Sequence, residues 1–384
     1  MPNTIQPFVL DIPQSDIDDL KERLSRTRWP TESPVEDGRP GPPLAKVRKL
    51  VEYWREQYDW RRCEQLLNDW GQYVTEIDGV SIHFLHIRST HKEAMPLLMT
   101  HGWPGSVLEF RHVIDRLVNP TDYGGSVEDA FHLVIPSIPG FGFSGKPDET
   151  GWNPARVAMA WIVLMQRLGY EQWSAQGGDW GAMVTMILGH MAPDALAGIH
   201  LNFVPFQPTD AEVANADANE KAMLADAKRY DEEFSAYMKL QCSRPQSVAF
   251  SLADSPVGLA AWIYALFQDV SDSDGSPETV FSFDEMIDDI MLYWLPNAGP
   301  SSVRFYWEAA QAMSTNNMTP QKMQTPIGIS MFKGEQVRLS RRWADARFDN
   351  ILHFAQHEKG GHFAAMEAPE ALVNDLRETF RSLR

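Results

Sequence analysis

The spacing of hydrophobic positions changes several times along the chain, and each change predicts an element. Ile17, Leu20 and Leu24 recur at the interval of one helix face. Ser15 with Asp18 has the form of a capping box, so a helix is predicted that stops before Trp29-Pro30. A Pro- and Gly-rich stretch (PTESPVEDGRPGPP) follows, then a second predicted helix over 46–58. Trp29, Trp54, Trp60 and Trp70 leave this arm with apolar surface that something else must cover, so residues 1–72 read as a strap packed on a larger body. From Tyr73 the period shortens: Val74–Ile87 reads as two strands joined at Asp78-Gly79. Short, wholly apolar runs at Pro96–Met99 and His132–Pro136 predict central parallel strands buried on both faces. Helices predicted over 154–168 and 182–191 alternate with such strands, the order of a doubly wound α/β sheet. Strand signals then become few. Between 203 and 325 the pattern is helical, over 211–240, 283–293 and 302–312, before strands resume at Ile327–Phe332 and from Ile351. The expected organisation is one α/β core in two parts, 73–203 and 326–384, interrupted by a helical insertion over 204–325.

Composition narrows the function. With 34 Lys+Arg against 52 Asp+Glu the net charge is −18, which opposes nucleic acid and anionic membrane surfaces as partners. The two cysteines, Cys63 and Cys242, are too few for a secreted disulfide framework. The opening MPNTIQPFVLD has neither the basic nor the apolar segment of a secretory signal, so a cytoplasmic protein is expected. The longest apolar runs, from Val157 and from Gly258, reach about half a membrane span. Thirteen tryptophans fit either an aromatic-lined pocket or core filling.

Three motifs carry candidate chemistry. Gly177-Gly178-Asp179-Trp180-Gly181 follows a short strand predicted over 172–176 and precedes a helix. A nucleophile elbow holds its attacking side chain on such a strained turn, with glycines around it because a Cβ would clash. An Asp in that slot forms an ester with an electrophilic carbon, whereas a serine attacks a carbonyl; the competing reading is an Asp N-cap in a Gly-rich turn. Gly360-Gly361-His362 lies beyond the last strand, where an elbow enzyme places its histidine. The acid between them should follow a strand: Glu335 fits best, with Asp345 and Asp349 as alternatives. His101-Gly102-Trp103-Pro104-Gly105-Ser106 forms a Gly-rich turn after a strand. Its backbone N–H, with that of Trp180, would make an oxyanion hole, and its Trp-Pro bond is a candidate cis peptide. His357 and His362 stand at i and i+5 across two glycines, not at the i and i+4 of the zinc motif H-E-x-x-H, so no metal is expected.

Taken in order, His-Gly-Trp-Pro-Gly-Ser, Gly-Gly-Asp-Trp-Gly and Gly-Gly-His-Phe-Ala-Ala-Met-Glu resemble the epoxide hydrolases of the α/β-hydrolase fold. The microsomal and juvenile-hormone branch is the most similar, and its N-terminal strap resembles residues 1–100. Its membrane-anchored members begin with a hydrophobic helix, for which this chain offers no candidate. The resemblance implies a mostly parallel central sheet, a helical cap and an N-terminal strap. It implies hydrolysis of an epoxide to a vicinal diol through an ester on Asp179, with His362 as base, Glu335 orienting it, and Trp103 and Trp180 N–H groups at the oxyanion. It also implies that Tyr237 and Tyr306 hold the epoxide oxygen, with Tyr293 as the decoy, and that no cofactor is used. The expected partners are a small hydrophobic epoxide and water; homo-oligomerisation is left open. Two other classes stay in view. A haloalkane dehalogenase shares the Asp elbow followed by Trp but needs halide-holding donors, and a non-catalytic receptor should carry a broken triad.

Overall fold

Asp78 and Gly79 both take positive φ, 52° and 79°, the backbone a two-residue hairpin turn requires. They join two strands of a sheet that the computed structural model, describing residues 4–35, 38–315 and 322–384, shows with nine strands. These are β1 (Gln6–Phe8), β2 (Gln72–Ile77), β3 (Val80–Ile87), β4 (Met95–Thr100), β5 (Phe131–Pro136), β6 (Trp173–Gly177), β7 (Leu196–Leu201), β8 (Ile327–Phe332) and β9 (Ile351–His357). Their spatial order is β1-β2-β3-β5-β4-β6-β7-β8-β9. The first three pairings are antiparallel and all those from β5 to β9 parallel. Every residue of β5, β6 and β8 is buried, as in strands covered on both faces; the polar members, among them His132, Ser174, Gln176 and Ser330, are buried with the rest. Helices Pro154–Arg167 and Asp179–Met191 form one covering layer, and Arg111–Val118 with Pro369–Phe380 the other.

Between β7 and β8 the chain is helical: Asp210–Ala214, Ala218–Arg229, Ala236–Ser243, Pro245–Asp254, Pro256–Val270, Phe283–Trp294 and Gly299–Thr315. The stretch expected as one helix over 211–240 is broken. Thr209 with Glu212 and Asp217 with Glu220 each form a capping box, so two starts occur where one amphipathic run was expected. A π-helical turn, Tyr230–Phe234, then leads to the next helix. The N-terminal helix, Gln14–Ser25, also departs from expectation. Its cap is Pro13, with Asp16 N–H bonded to the Pro13 carbonyl, so Ser15 lies inside the first turn and caps nothing.

The arm ahead of β2 includes helices Leu44–Glu56 and Trp60–Asp69, with Leu50, Trp54, Trp60 and Leu67 buried. It is bound to the rest through Asp288, a fully buried residue of Phe283–Trp294. The Asp288 carboxylate accepts from Tyr58 Oη at 2.7 Å, Arg62 Nη2 at 2.7 Å and Arg111 Nη1 at 2.8 Å. Arm, insertion and sheet layer thus meet at one carboxylate. Among the described residues no helix is long and apolar enough to cross a membrane.

Candidate active site

The turn after β6 leaves no room for a side chain at its glycines. A Cβ at Gly181 would fall on the Thr100 carbonyl, and one at Gly177 on the Gly181 carbonyl. Asp179 stands between them at φ 49°, a left-handed conformation that costs a non-glycine residue roughly 1–3 kcal/mol. In return its carboxylate projects from the start of helix Asp179–Met191 toward the turn after β4. There Gly102 is needed because a Cβ would collide with that carboxylate.

Both carboxylate oxygens are addressed. Oδ1 accepts the Trp103 backbone N–H at 2.7 Å, and Oδ2 lies 3.2 Å from His362 Nε2. Trp180 N–H belongs to the first helical turn, where backbone donors lack intrahelical acceptors. Trp103-Pro104 is cis. His101 is fully enclosed: Nδ1 donates to the Gly102 carbonyl at 2.9 Å and Nε2 accepts from Ile138 N–H at 3.3 Å. Burial lowers its pKa to about 4, so it is a neutral scaffold residue.

His362 Nδ1 is 2.8 Å from Glu335 Oε2, and the other Glu335 oxygen accepts from Gln336 N–H at 2.8 Å. Burial opposes the imidazolium, but Glu335 and Asp179 outweigh it and hold the His362 pKa well above the ordinary histidine value. The loop carrying His362 is gripped by the insertion. His362 N–H donates to the Val270 carbonyl at 3.0 Å, and Gly360 N–H to Asp272 Oδ2 at 2.9 Å. The alternative acids lie elsewhere: Asp345 pairs with Arg341 and Asp349 with Lys322, both at the surface. His357 bonds Asp375 at 2.6 Å.

Two helices of the insertion bring Tyr237 and Tyr306 over the carboxylate. The Tyr237 ring stacks on Trp103 at 5.6 Å, and the Tyr306 ring meets Trp180 edge-on at 4.7 Å. The two phenols are 6.1 Å apart between ring centres. Burial, and the Asp179 charge behind it, raise both pKa values well above that of a free phenol, so both remain O–H donors. Tyr293 is spent on structure, donating to the Gly105 carbonyl at 2.6 Å.

Sequence reasoning missed three features. Tyr230 Oη lies 2.8 Å from Tyr237 Oη; the π-helical turn Tyr230–Phe234 between them is what brings them together, and regular helical spacing gave no signal for it. Glu109 lies against Gly105, and burial raises its carboxyl pKa to about 8 despite the charge on His362. The Val270–Asp272 anchor of the histidine loop had no local signal, because it is a contact between distant segments.

A carboxylate with a hydrogen-bonded Oδ1, a histidine at Oδ2 and two phenol donors opposite can attack an electrophilic carbon whose leaving oxygen needs a proton. Comparison with known proteins agrees with this chemistry. The family profile described as epoxide hydrolase N terminus matches residues 5–110, and that described as alpha/beta hydrolase fold matches residues 95–239. A Stigmatella aurantiaca protein assigned to the epoxide hydrolases is 51% identical over 99% of this chain and 86% of its own. Epoxide hydrolase 1 of Sus scrofa is 33% identical over 98% of this chain and 88% of its own. The crystal structure of juvenile hormone epoxide hydrolase from Bombyx mori superposes with a TM-score of 0.91 at 29% identity, covering 99% of this chain and 95% of that one. The chain therefore belongs to the epoxide hydrolases of the α/β-hydrolase fold, in the branch that includes the juvenile hormone enzymes.

Proposed function

We propose that this enzyme converts a small hydrophobic epoxide to a vicinal diol through an ester on Asp179. The observation that carries the reading is a single carboxylate faced by His362 Nε2 on one side and the Tyr237–Tyr306 pair on the other. Residues 1–72 act as a strap, 73–203 and 326–384 as the core, and 204–325 as a cap over the elbow. Asp179 Oδ2 forms a bond to one ring carbon as the ring C–O bond breaks, and the tyrosine pair supplies the proton the alkoxide takes. Esterification removes one of the two negative charges that hold His362 protonated. The imidazolium then gives up a proton, which balances the one the phenols regain. Neutral His362, oriented by Glu335, next deprotonates a water that attacks the ester carbonyl carbon. Trp103 and Trp180 N–H groups stabilise the resulting oxyanion, a contribution of roughly 3 kcal/mol per donor in other enzymes. As the tetrahedral centre collapses, the C–O bond to the product breaks, the leaving alkoxide takes the water's second proton to give the diol, and the Asp179 carboxylate is restored beside the imidazolium. No cofactor enters these steps.

Mutation separates the half-reactions. His362→Ala should open the ring and stall, so intact-mass spectrometry finds the enzyme heavier by one substrate, with the adduct on the Asp179 peptide. Asp179→Ala should stay unmodified. An unmodified His362→Ala protein, under conditions where the wild type makes diol, contradicts the ester route.

A further inference from the structure

Tyr230 is outside the set the mechanism above uses, yet its hydroxyl touches one of the two proposed donors, at 2.8 Å from Tyr237 Oη. It sits in the π-helical turn Tyr230–Phe234, between helices Ala218–Arg229 and Ala236–Ser243. Such wide turns are rare and are frequent at functional sites. This one is supported by side chains: the Asp231 carbonyl accepts from Ser235 Oγ at 2.6 Å and from Lys239 Nζ at 2.5 Å. Tyr230 is mostly buried; burial keeps its hydroxyl protonated, outweighing the hydrogen bond with Tyr237, which acts the other way, and the charges of Asp179 and Glu335 reinforce burial.

The direction of this hydrogen bond follows from proton counting. A phenol has one proton to donate and lone pairs with which to accept. A Tyr237 that directs its proton at an epoxide oxygen can only accept from Tyr230. A bond arriving at the Tyr237 oxygen polarises its O–H and shares the negative charge that grows there as the ring opens. We propose that Tyr230 is a positioning residue, donating to Tyr237 and thereby fixing the aim and strength of Tyr237's own bond to the epoxide. This rests on the ester mechanism above. Tyr230 contributes to ring opening alone and has no part in ester hydrolysis.

The test is a rapid-quench single-turnover measurement on the whole enzyme, with the best substrate from an epoxide panel headed by styrene oxide. Ester formation and ester breakdown are timed separately for wild type, Tyr230→Phe, Tyr237→Phe and the double variant. Tyr230→Phe should slow ester formation by about tenfold, the kinetic size of one hydrogen bond, and leave breakdown unchanged. The double variant should be no slower than Tyr237→Phe, because the effect passes through Tyr237. Replacing Tyr230 by 3,5-difluorotyrosine keeps the hydroxyl in place but makes it a stronger donor, and should make ester formation faster than in wild type; a merely structural role gives no gain. Equal rates for wild type and Tyr230→Phe, or a double variant carrying the full additional Tyr230→Phe loss, overturn the proposal. A His362→Ala protein that forms no Asp179 adduct, under conditions where the wild type makes diol, overturns the ester reading instead.

Discussion

Two carboxylates flank one imidazole, and that arrangement sets how the residues should titrate. Glu335 and Asp179 together raise His362 against the opposing effect of burial, and a neutral ester at Asp179 leaves Glu335 to do so alone. Asp179→Asn imitates that loss of charge. The His362 midpoint, followed by nitrogen-15 NMR, should lie well above about 6.5 in wild type and fall in Asp179→Asn; an unchanged midpoint contradicts the coupling. The linkage to stability has a definite sign. A raised histidine pKa contributes stability that is complete below the unfolded value and fades as pH rises through the folded one. The tyrosines differ in kind. Either of Tyr237→Phe and Tyr306→Phe leaves one donor, so each should slow ester formation by about 2–3 kcal/mol at most. The pair combined should lose more than the sum, in the same rapid-quench assay; full loss from one substitution contradicts a shared role.

Between elements, Asp288 is the junction. Its carboxylate gathers donors from the arm (Tyr58, Arg62) and from the helix that follows the turn after β4 (Arg111). Removing a buried anion strands its partners, and the side chain of Arg111 is itself only 8% exposed. Asp288→Ala should cost about 3–5 kcal/mol, read as a lower urea midpoint, whereas a change below 1 kcal/mol would mean that the arm is held by its apolar contacts and by its other polar contacts, such as Tyr53 with Asp284 and Lys46 with the Gly275 carbonyl. Such junctions also mark the limit of what the chain discloses one segment at a time. The buried strands, the Asp78-Gly79 hairpin and the elbow were legible because each rule is local: runs of apolar residues, turn residues at positive φ, glycines where a Cβ collides. The carboxylate beside His362 was legible through its place after β8, and the nearness of Tyr237 to Tyr306 only through resemblance. Tyr230, Asp288 and the Val270–Asp272 anchor were not legible, because their partners lie in other helices or behind an irregular turn. The helical insertion was visible as an absence of strands, while its breaks depended on caps at Thr209 and Asp217 that a search for periodicity passes over.

Across the whole molecule, the parallel strands β4, β6, β8 and β9 end on one side of the sheet. Their following loops deliver Trp103, Asp179, Glu335 and His362 to a common point, the expected place for a site in a parallel sheet. The helical insertion between β7 and β8 supplies the facing donors and grips the histidine loop. In this account the sheet provides the attacking group and the base while the insertion provides the acids, so the oxygen that enters the product first belongs to the protein. That origin can be measured. A single turnover in water enriched in oxygen-18, with enzyme in excess over epoxide, should release diol whose new oxygen is unlabelled, with the label appearing in the Asp179 carboxylate. Label found mainly in the diol after that one turnover would mean that water attacks the ring directly and would contradict the covalent route.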